Sequence, residues 1–323
     1  MTPAGVAGPA GHLDLLFSGT VFCDLVFAGM EMPEPGAEVF ARAFTMSPGG
    51  AANLAVAGAR LGSRTGLLCR LGADPLGRHV SEALATEPNL DLRWLVHEPG
   101  HQTAVTVSLT GCDEREFITY QEHLEPPGWA AGAPTVGATH VGIQSELPPW
   151  VRRLRSQGTQ VFGGVGWDSS GAWSPSVLRR LAEVDVFVSN DLEAMRYTET
   201  TSAVEAARRL GLRVGLAIVT RGSRGVVAFE QSTGRLVEIP AVAVDAIDPT
   251  GAGDVFVASF MASGTLSWTL DHRLQLAALC GALSVRTLGG AASAPRPADI
   301  VAFLAEHDPP GDFGLIHSWA VNQ

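Results

Sequence analysis

Lysine is absent from the 323-residue chain; all 22 basic residues are arginine. That absence excludes a Schiff-base lysine and a Walker-type phosphate loop, which needs Gly-Lys-Ser/Thr. Positive charge is scarce altogether. The 22 basic residues face 33 acidic ones, a net charge of −11, the reverse of a nucleic-acid-binding footprint. Cys23, Cys69, Cys112 and Cys280 are scattered, with no CxxC pair, which predicts reduced packing residues of a cytosolic protein. The nine histidines contain no HExxH, so metal catalysis through His or Cys is not expected. No positive charge precedes Arg42, and no apolar run is long enough for a signal peptide or a membrane span. A soluble, cytoplasmic protein with neither nucleic acid nor membrane as partner is therefore expected.

The chain is rich in apolar residues. With 46% hydrophobic and 17% charged residues it can bury a large core, and its length suits two domains or one large α/β unit. Apolar runs alternate with helical patterns: strands at Leu13–Phe17, Thr65–Leu71, Thr139–Ile143, Gln160–Gly163, Val184–Val188 and Val214–Val219, and helices at Ala51–Leu61, Pro75–Ala85, Pro149–Ser156, Pro175–Ala182 and Ala203–Leu210. This alternation predicts βαβ units and a mainly parallel central sheet flanked by helices. Two segments break it, 21–45 and 102–121, which read as extended. The second holds a hairpin turn at Thr110-Gly111-Cys112-Asp113. They form either surface hairpins or one small sheet, a lid over the strand ends where ligands of such sheets bind. Residues 1–12 read as a loose leader and 308–323 as a tail packed loosely or not at all.

The chemistry concentrates at Val244–Asp254, ahead of an apolar helix at Val255–Ala262. Gly251, Ala252 and Gly253 are small enough for backbone N–H groups to converge at the helix start, which suits developing negative charge. Asp254 is there either a helix cap or a general base beside an anion hole.

Asp248-Pro249-Thr250-Gly251-Ala252-Gly253-Asp254 resembles the second signature of the ribokinase-like (PfkB) carbohydrate kinases. Ser47-Pro48-Gly49-Gly50-Ala51-Ala52-Asn53, continuing through Leu71-Gly72-Ala73-Asp74 to Gly77, resembles the first. The likeness spans residues 13–306, with the lid segments inserted. It implies a ribokinase-like α/β fold with a small β-sheet lid, and ATP-dependent phosphorylation of a hydroxyl. Asp254 would be the base and the backbone at Gly251, Ala252 and Gly253 the anion hole. Further matches imply ATP contacts at Asn190, Thr220, Gly222 and Gly225, and Mg2+ held through water near Glu193. Asn190 and Glu193 equally suit an N-cap and its capping-box partner. For the substrate the resemblance points to Asp24, Gly49, Gly50, Asn53 and Glu146, with Asp168 and Trp167 also near a strand end. Asp248, Thr250 and Ser293 correspond to a monovalent-cation site, implying K+. A phosphorylated sugar could be held only by arginine, Arg42 or Arg115 among early residues, so an unphosphorylated sugar is expected. A nucleoside kinase of the same fold is the alternative, and a non-catalytic sugar or nucleotide sensor is a third reading. A homodimer through the lid is a further expectation.

Overall fold

The computed structural model describes residues 11–31, 34, 36–110, 115–122, 124, 127–130, 133–166, 168 and 170–323. β1 (His12–Ser18) leads into the paired strands β2 (Val21–Ala28) and β3 (Ala43–Gly50), and β3 passes without a linker into α1 (Ala51–Arg60). Next come β4 (Thr65–Gly72), α2 (Pro75–Ala85), the short β5 (Leu90–Asp91) and β6 (Leu95–Glu98), and the pair β7 (Ala104–Thr110) and β8 (Arg115–Tyr120). The chain then alternates through β9 (Thr135–Gly142), α3 (Pro149–Ser156), β10 (Gln160–Gly164), α4 (Ser176–Arg180), β11 (Val186–Asn190), α5 (Asp191–Thr198), α6 (Ala203–Gly211) and β12 (Leu216–Thr220). β13 (Val226–Glu230), β14 (Arg235–Ile239), α7 (Ala252–Ala262), α8 (Leu270–Ser284), α9 (Pro297–Glu306) and α10 (Gly314–Val321) complete it.

Among the described residues, β14-β13-β12-β11-β10-β9-β1-β4-β5 form one sheet, with β6 also on β4. Its pairs are parallel from β12 to β6, and the β12–β13 and β13–β14 pairs are antiparallel. A strand covered on both faces should be apolar throughout, and Leu13, Leu15, Leu16 and Phe17 of β1 are all buried. One face packs on α1, α2, α7, α8, α9 and α10, with Phe17, Phe162 and Phe260 at its centre. The other packs on α3, α4, α5 and α6 around Phe187 and Leu154. Helix ends follow local chemistry: Pro75 occupies the first turn of α2, and the Asp74 side chain accepts from Gly77 N–H at 2.7 Å.

The expected lid is present. A separate sheet of order β3-β2-β7-β8 joins the two inserted segments. β2 pairs antiparallel with β3 and parallel with β7. Its second strand runs on to Gly50, beyond the expected limit at residue 45, so Gly49 and Gly50 end a strand and α1 follows them. Residues 111–113 of the expected hairpin turn, Cys112 among them, lie outside the described residues.

Two expectations at the ends need correction. The first strand includes His12, inside the span expected as a loose leader; residues 1–10 lie outside the described residues. The tail expected at 308–323 is instead a packed helix, α10, with Phe313, Ile316 and Ala320 buried. Trp319 meets Trp268 edge to face at 5.9 Å. Pro309, Pro310 and Gly311 suggested a loose end, but they form only the connection that turns the chain back onto the core.

Candidate active site

The segment before α7 is tied down by backbone and carboxylate. The N–H groups of Ile247 and Asp248 donate to the Val285 carbonyl at 2.7 and 3.0 Å. Asp248 is fully buried, and its carboxylate accepts from Thr250 N–H and Gly289 N–H, each at 3.0 Å. Gly251 then adopts φ +75° at the N-cap of α7, a conformation that favours glycine. No side chain caps this helix. Neither Asp248, Thr250 nor Asp254 serves as its N-cap, so the positive end of the helix dipole faces the site.

Asp254 lies in the first turn of α7, half-buried. Asn53 Nδ2, from the first turn of α1, donates to Asp254 Oδ2 at 3.0 Å. Burial lifts the Asp254 carboxyl to about 6, while the Asn53 hydrogen bond pulls the other way. A carboxyl poised there is largely ionised at neutral pH yet basic enough to take a proton.

Asp24 comes from the lid. It is 7% exposed on β2, and a Cβ at Gly49 would lie 2.0 Å from its Oδ2. Glycine at 49 is thus what gives the carboxylate its room. Burial, then the charges of Asp254 and Asp248, push Asp24 up to about 7. Three carboxylates therefore share one region. In register, Ser47, Asp24, Thr106 and Thr119 form a row across the four lid strands. The Ser47 hydroxyl in that row is buried without a partner among the described residues. Gly50, with φ +61° and a would-be Cβ 2.4 Å from the Thr20 carbonyl, makes the turn from lid to α1.

On the other side of α7 lies a cavity of about 510 Å³. It runs from Thr220 at the end of β12, with Gly222 and Gly225 beyond it, to Ala252 and Gly253, between the apolar walls of Val242, Val244, Phe256 and Val285. The two glycines of the turn differ. A Cβ at Gly225 would sit 2.1 Å from the Ile239 carbonyl, so Gly225 lets β14 approach, whereas one at Gly222 would meet nothing within 4 Å. Thr220 pairs in register with Asn190, so the β11 and β12 ends lie side by side. Asn190 caps α5 and forms a full capping box with Glu193, at 2.8 and 3.1 Å. Burial raises the Glu193 pKa.

Not every expected residue joins this group. Glu146 is exposed in the loop after β9, and among the described residues no hydrogen bond or ion pair links it to Asp254 or Asp24. The Asp168 carboxylate is spent on its own loop, accepting from Ser170 and Trp173 N–H at 3.0 and 2.7 Å. Trp167 lies outside the described residues. The Ser293 hydroxyl donates to the Thr287 carbonyl at 3.1 Å, and its turn approaches the site through Gly290. Arg42 is exposed in the lid connection. Sequence reasoning missed the apolar walls of the cavity, whose residues look like ordinary core, and Ser47 as part of the lid's polar row. Only the strand register reveals the latter.

Comparison with known proteins identifies the family. The pfkB family carbohydrate kinase pattern matches residues 19–297. A fructokinase of Klebsiella pneumoniae is 31% identical over 78% of this chain and 90% of its own. A nucleoside kinase of Methanothermobacter thermautotrophicus is 28% identical over 77% of this chain and 81% of its own. The structure of Arabidopsis thaliana ribokinase complexed with ribose and ATP superposes with a TM-score of 0.72 at 21% identity, covering 90% and 98% of the two chains, a likeness of fold. With both motifs inside the matched span and the lid built as that fold requires, the chain belongs to the pfkB family of carbohydrate kinases.

Proposed function

We propose that this kinase transfers the γ-phosphoryl group of ATP to a hydroxyl of an unphosphorylated sugar, with Asp254 as general base. The observation that carries the reading is the place of Asp254. It stands at the uncapped start of α7, between an apolar cavity of about 510 Å³ on one side and the lid carboxylate of Asp24 on the other. The cavity suits a nucleotide base and ribose, with Thr220, Gly222 and Gly225 bordering them. Asp254 takes the proton from the attacking hydroxyl, and the backbone at Gly251, Ala252 and Gly253 meets the charge on the transferring group. Mg2+, when bound, offsets triphosphate charge. Among the described residues no group of three or more His, Cys, Asp or Glu could hold a metal directly; the ion would keep its waters and approach Glu193 through one of them. A monovalent cation near Asp248, Thr250 and Ser293 would meet Asp248 and Ser293 through their remaining lone pairs.

Substrate charge follows from the shared carboxylates. Asp24 is already raised by burial and then by the charges of Asp254 and Asp248, so a second anion on the sugar would meet repulsion, while neutral hydroxyls can donate to Asp24. The row Ser47, Asp24, Thr106 and Thr119 offers such partners. A nucleoside is the second reading, favoured by Phe117, which pairs with Ser108 one row farther along the same lid face.

Asp254→Asn is expected to lower kcat by about 10²–10⁴ while ATP binding, followed by calorimetry, stays in place. In the wild type, kcat/KM should fall as pH drops below about 6, because the base must be ionised. Full turnover in the variant would remove Asp254 from the mechanism. ADP release with a panel of sugars and nucleosides separates the two substrate classes.

A further inference from the structure

We infer that Arg60, at the far end of α1, is a positioning residue of the acceptor site: it pins the turn Gly290–Ser293 against the lid, Asn53 and the loop ahead of α7. The inference rests on the reading of Asp254 as the base. It starts from what the turn touches. Gly289 N–H, at its root, donates to Asp248 Oδ2 at 3.0 Å. A Cβ on Gly289 would lie 3.6 Å from Ser47 Oγ and from Thr45 Cγ2 of β3. One on Gly290 would lie 3.1 Å from Asn53 Oδ1 and 3.7 Å from Thr250 Cγ2. One short turn thus meets the lid, the start of α1 and the segment that leads to Asp254.

The turn is held from behind. Arg60 Nη1 donates to the Ala292 and Ala294 carbonyls at 3.0 and 2.7 Å. Arg60 Nε and Nη2 donate to Glu87 Oε1 at 3.0 and 2.5 Å, and Arg296 Nη2 donates to Glu87 Oε2 at 2.9 Å. The Arg60 and Glu87 side chains are only 13% and 8% exposed. Burial alone would raise the Glu87 pKa, yet the hydrogen bond and charge of Arg60, then those of Arg296, leave it lowered. The carboxylate is therefore charged at neutral pH and fixes the guanidinium plane with one edge toward the two carbonyls. A lysine ammonium is a point charge without that fork and cannot serve the carboxylate and both carbonyls in one plane.

Arg60 acts at a distance from the cleft. It stands seven residues after Asn53 on the same helix, about 10 Å along its axis. A bridge that served only to fasten α9 would need no more than Glu87 and Arg296. The bonds to the Ala292 and Ala294 carbonyls extend it to the turn. Loss of Arg60 frees the outer side of the turn and leaves its contacts with Asp248, Asn53 and the lid unsupported. The residues that line the apolar cavity stop at Val285, short of the turn. Acceptor binding and transfer therefore depend on Arg60, and ATP binding does not.

The test compares Arg60→Ala and Arg60→Lys with wild type, using the sugar that the panel identifies. For Arg60→Ala the expected result is a kcat about tenfold or more lower, a sugar KM about tenfold higher and an ATP KM within about twofold of wild type. Arg60→Lys should show the same split, because charge alone does not replace the fork. Millimolar guanidinium should raise turnover of Arg60→Ala by about threefold or more and leave wild type unchanged, the opposite of its action as a denaturant. Unchanged sugar kinetics in either variant, sugar and ATP KM raised alike, or no response to guanidinium would each overturn the inference. If neither variant folds, hydrogen exchange of the wild type without sugar decides it. The amides to follow are those of Gly289 and Ala292, which donate to Asp248 and to the Gly289 carbonyl. Protection comparable to that of α1 supports a turn held from behind, and exchange at loop rates that slows only when sugar is added overturns it. Wild-type turnover in Asp254→Asn would be a different failure, that of the base itself.

Discussion

Asp24 is held under conditions that oppose its own charge. Its folded pKa is about 7 against an ordinary 3.8, so between those values the folded chain binds a proton that the unfolded chain has released. Its contribution to stability is complete at pH below 3.8, declines as pH rises, and is lost once pH passes about 7. Asp24→Asn should therefore be more stable than wild type above that pH, on the order of a few kcal/mol, and the gap should close toward low pH. Urea unfolding across this range measures it; a gap that stays constant with pH would contradict it. The same variant should lose sugar affinity, a trade of function for stability at one residue. Asp24 could be singled out in the sequence only through resemblance, because a lone aspartate on a strand has no local mark of burial. Asp254 and Gly251 were easier, since small residues before a helix carry their meaning in their own backbone freedom. The partnership of Asn53 with Asp254 was not legible, because it depends on how α1 and α7 pack across the sheet.

Elements show the same division between local and distant causes. The strands and helices from β9 to β12, α5 apart, were readable within a few residues, because each buries an apolar run or stripe. The pair β13 and β14 was missed: nothing in Val226–Glu230 distinguishes an antiparallel strand from other apolar stretches until its partner is placed. The turn between β12 and β13 allows a direct comparison of its glycines. Gly225→Ala meets a carbonyl at 2.1 Å with φ +81°, while Gly222→Ala meets no atom within 4 Å and carries only the strain of φ +55°. Gly225→Ala should destabilise the fold by about 2 kcal/mol or more, and Gly222→Ala by about 1 kcal/mol. ATP affinity should drop more per unit of lost stability in Gly222→Ala, whose new methyl points at open space by the cavity. Denaturation and ATP titration of both variants provide the check; equal stability losses would speak against it.

At the scale of the molecule, the last helix closes the layer that carries α7. Ile316 is fully buried, and Phe313 and Ala320 are nearly so. Ending the chain after His307 should cost several kcal/mol, since burying one large apolar side chain contributes about 1.5–3 kcal/mol. The expected outcome is a markedly lower Tm or insoluble protein; an unchanged Tm would restore the loose tail. Composition misled here because Pro and Gly mark a turn equally well before a helix and before a free end.

The small sheet and α1 are joined by covalent chain with no slack. β3 ends at Gly50 and α1 begins at Ala51, so Asn53 sits within one turn of that hinge. On the proposed mechanism, a swing of the small sheet about Gly50 would pull on the amide bonded to Asp254. Arrival of the acceptor and arming of the proton sink would then be coupled, sparing ATP from attack by solvent while the cleft stands open.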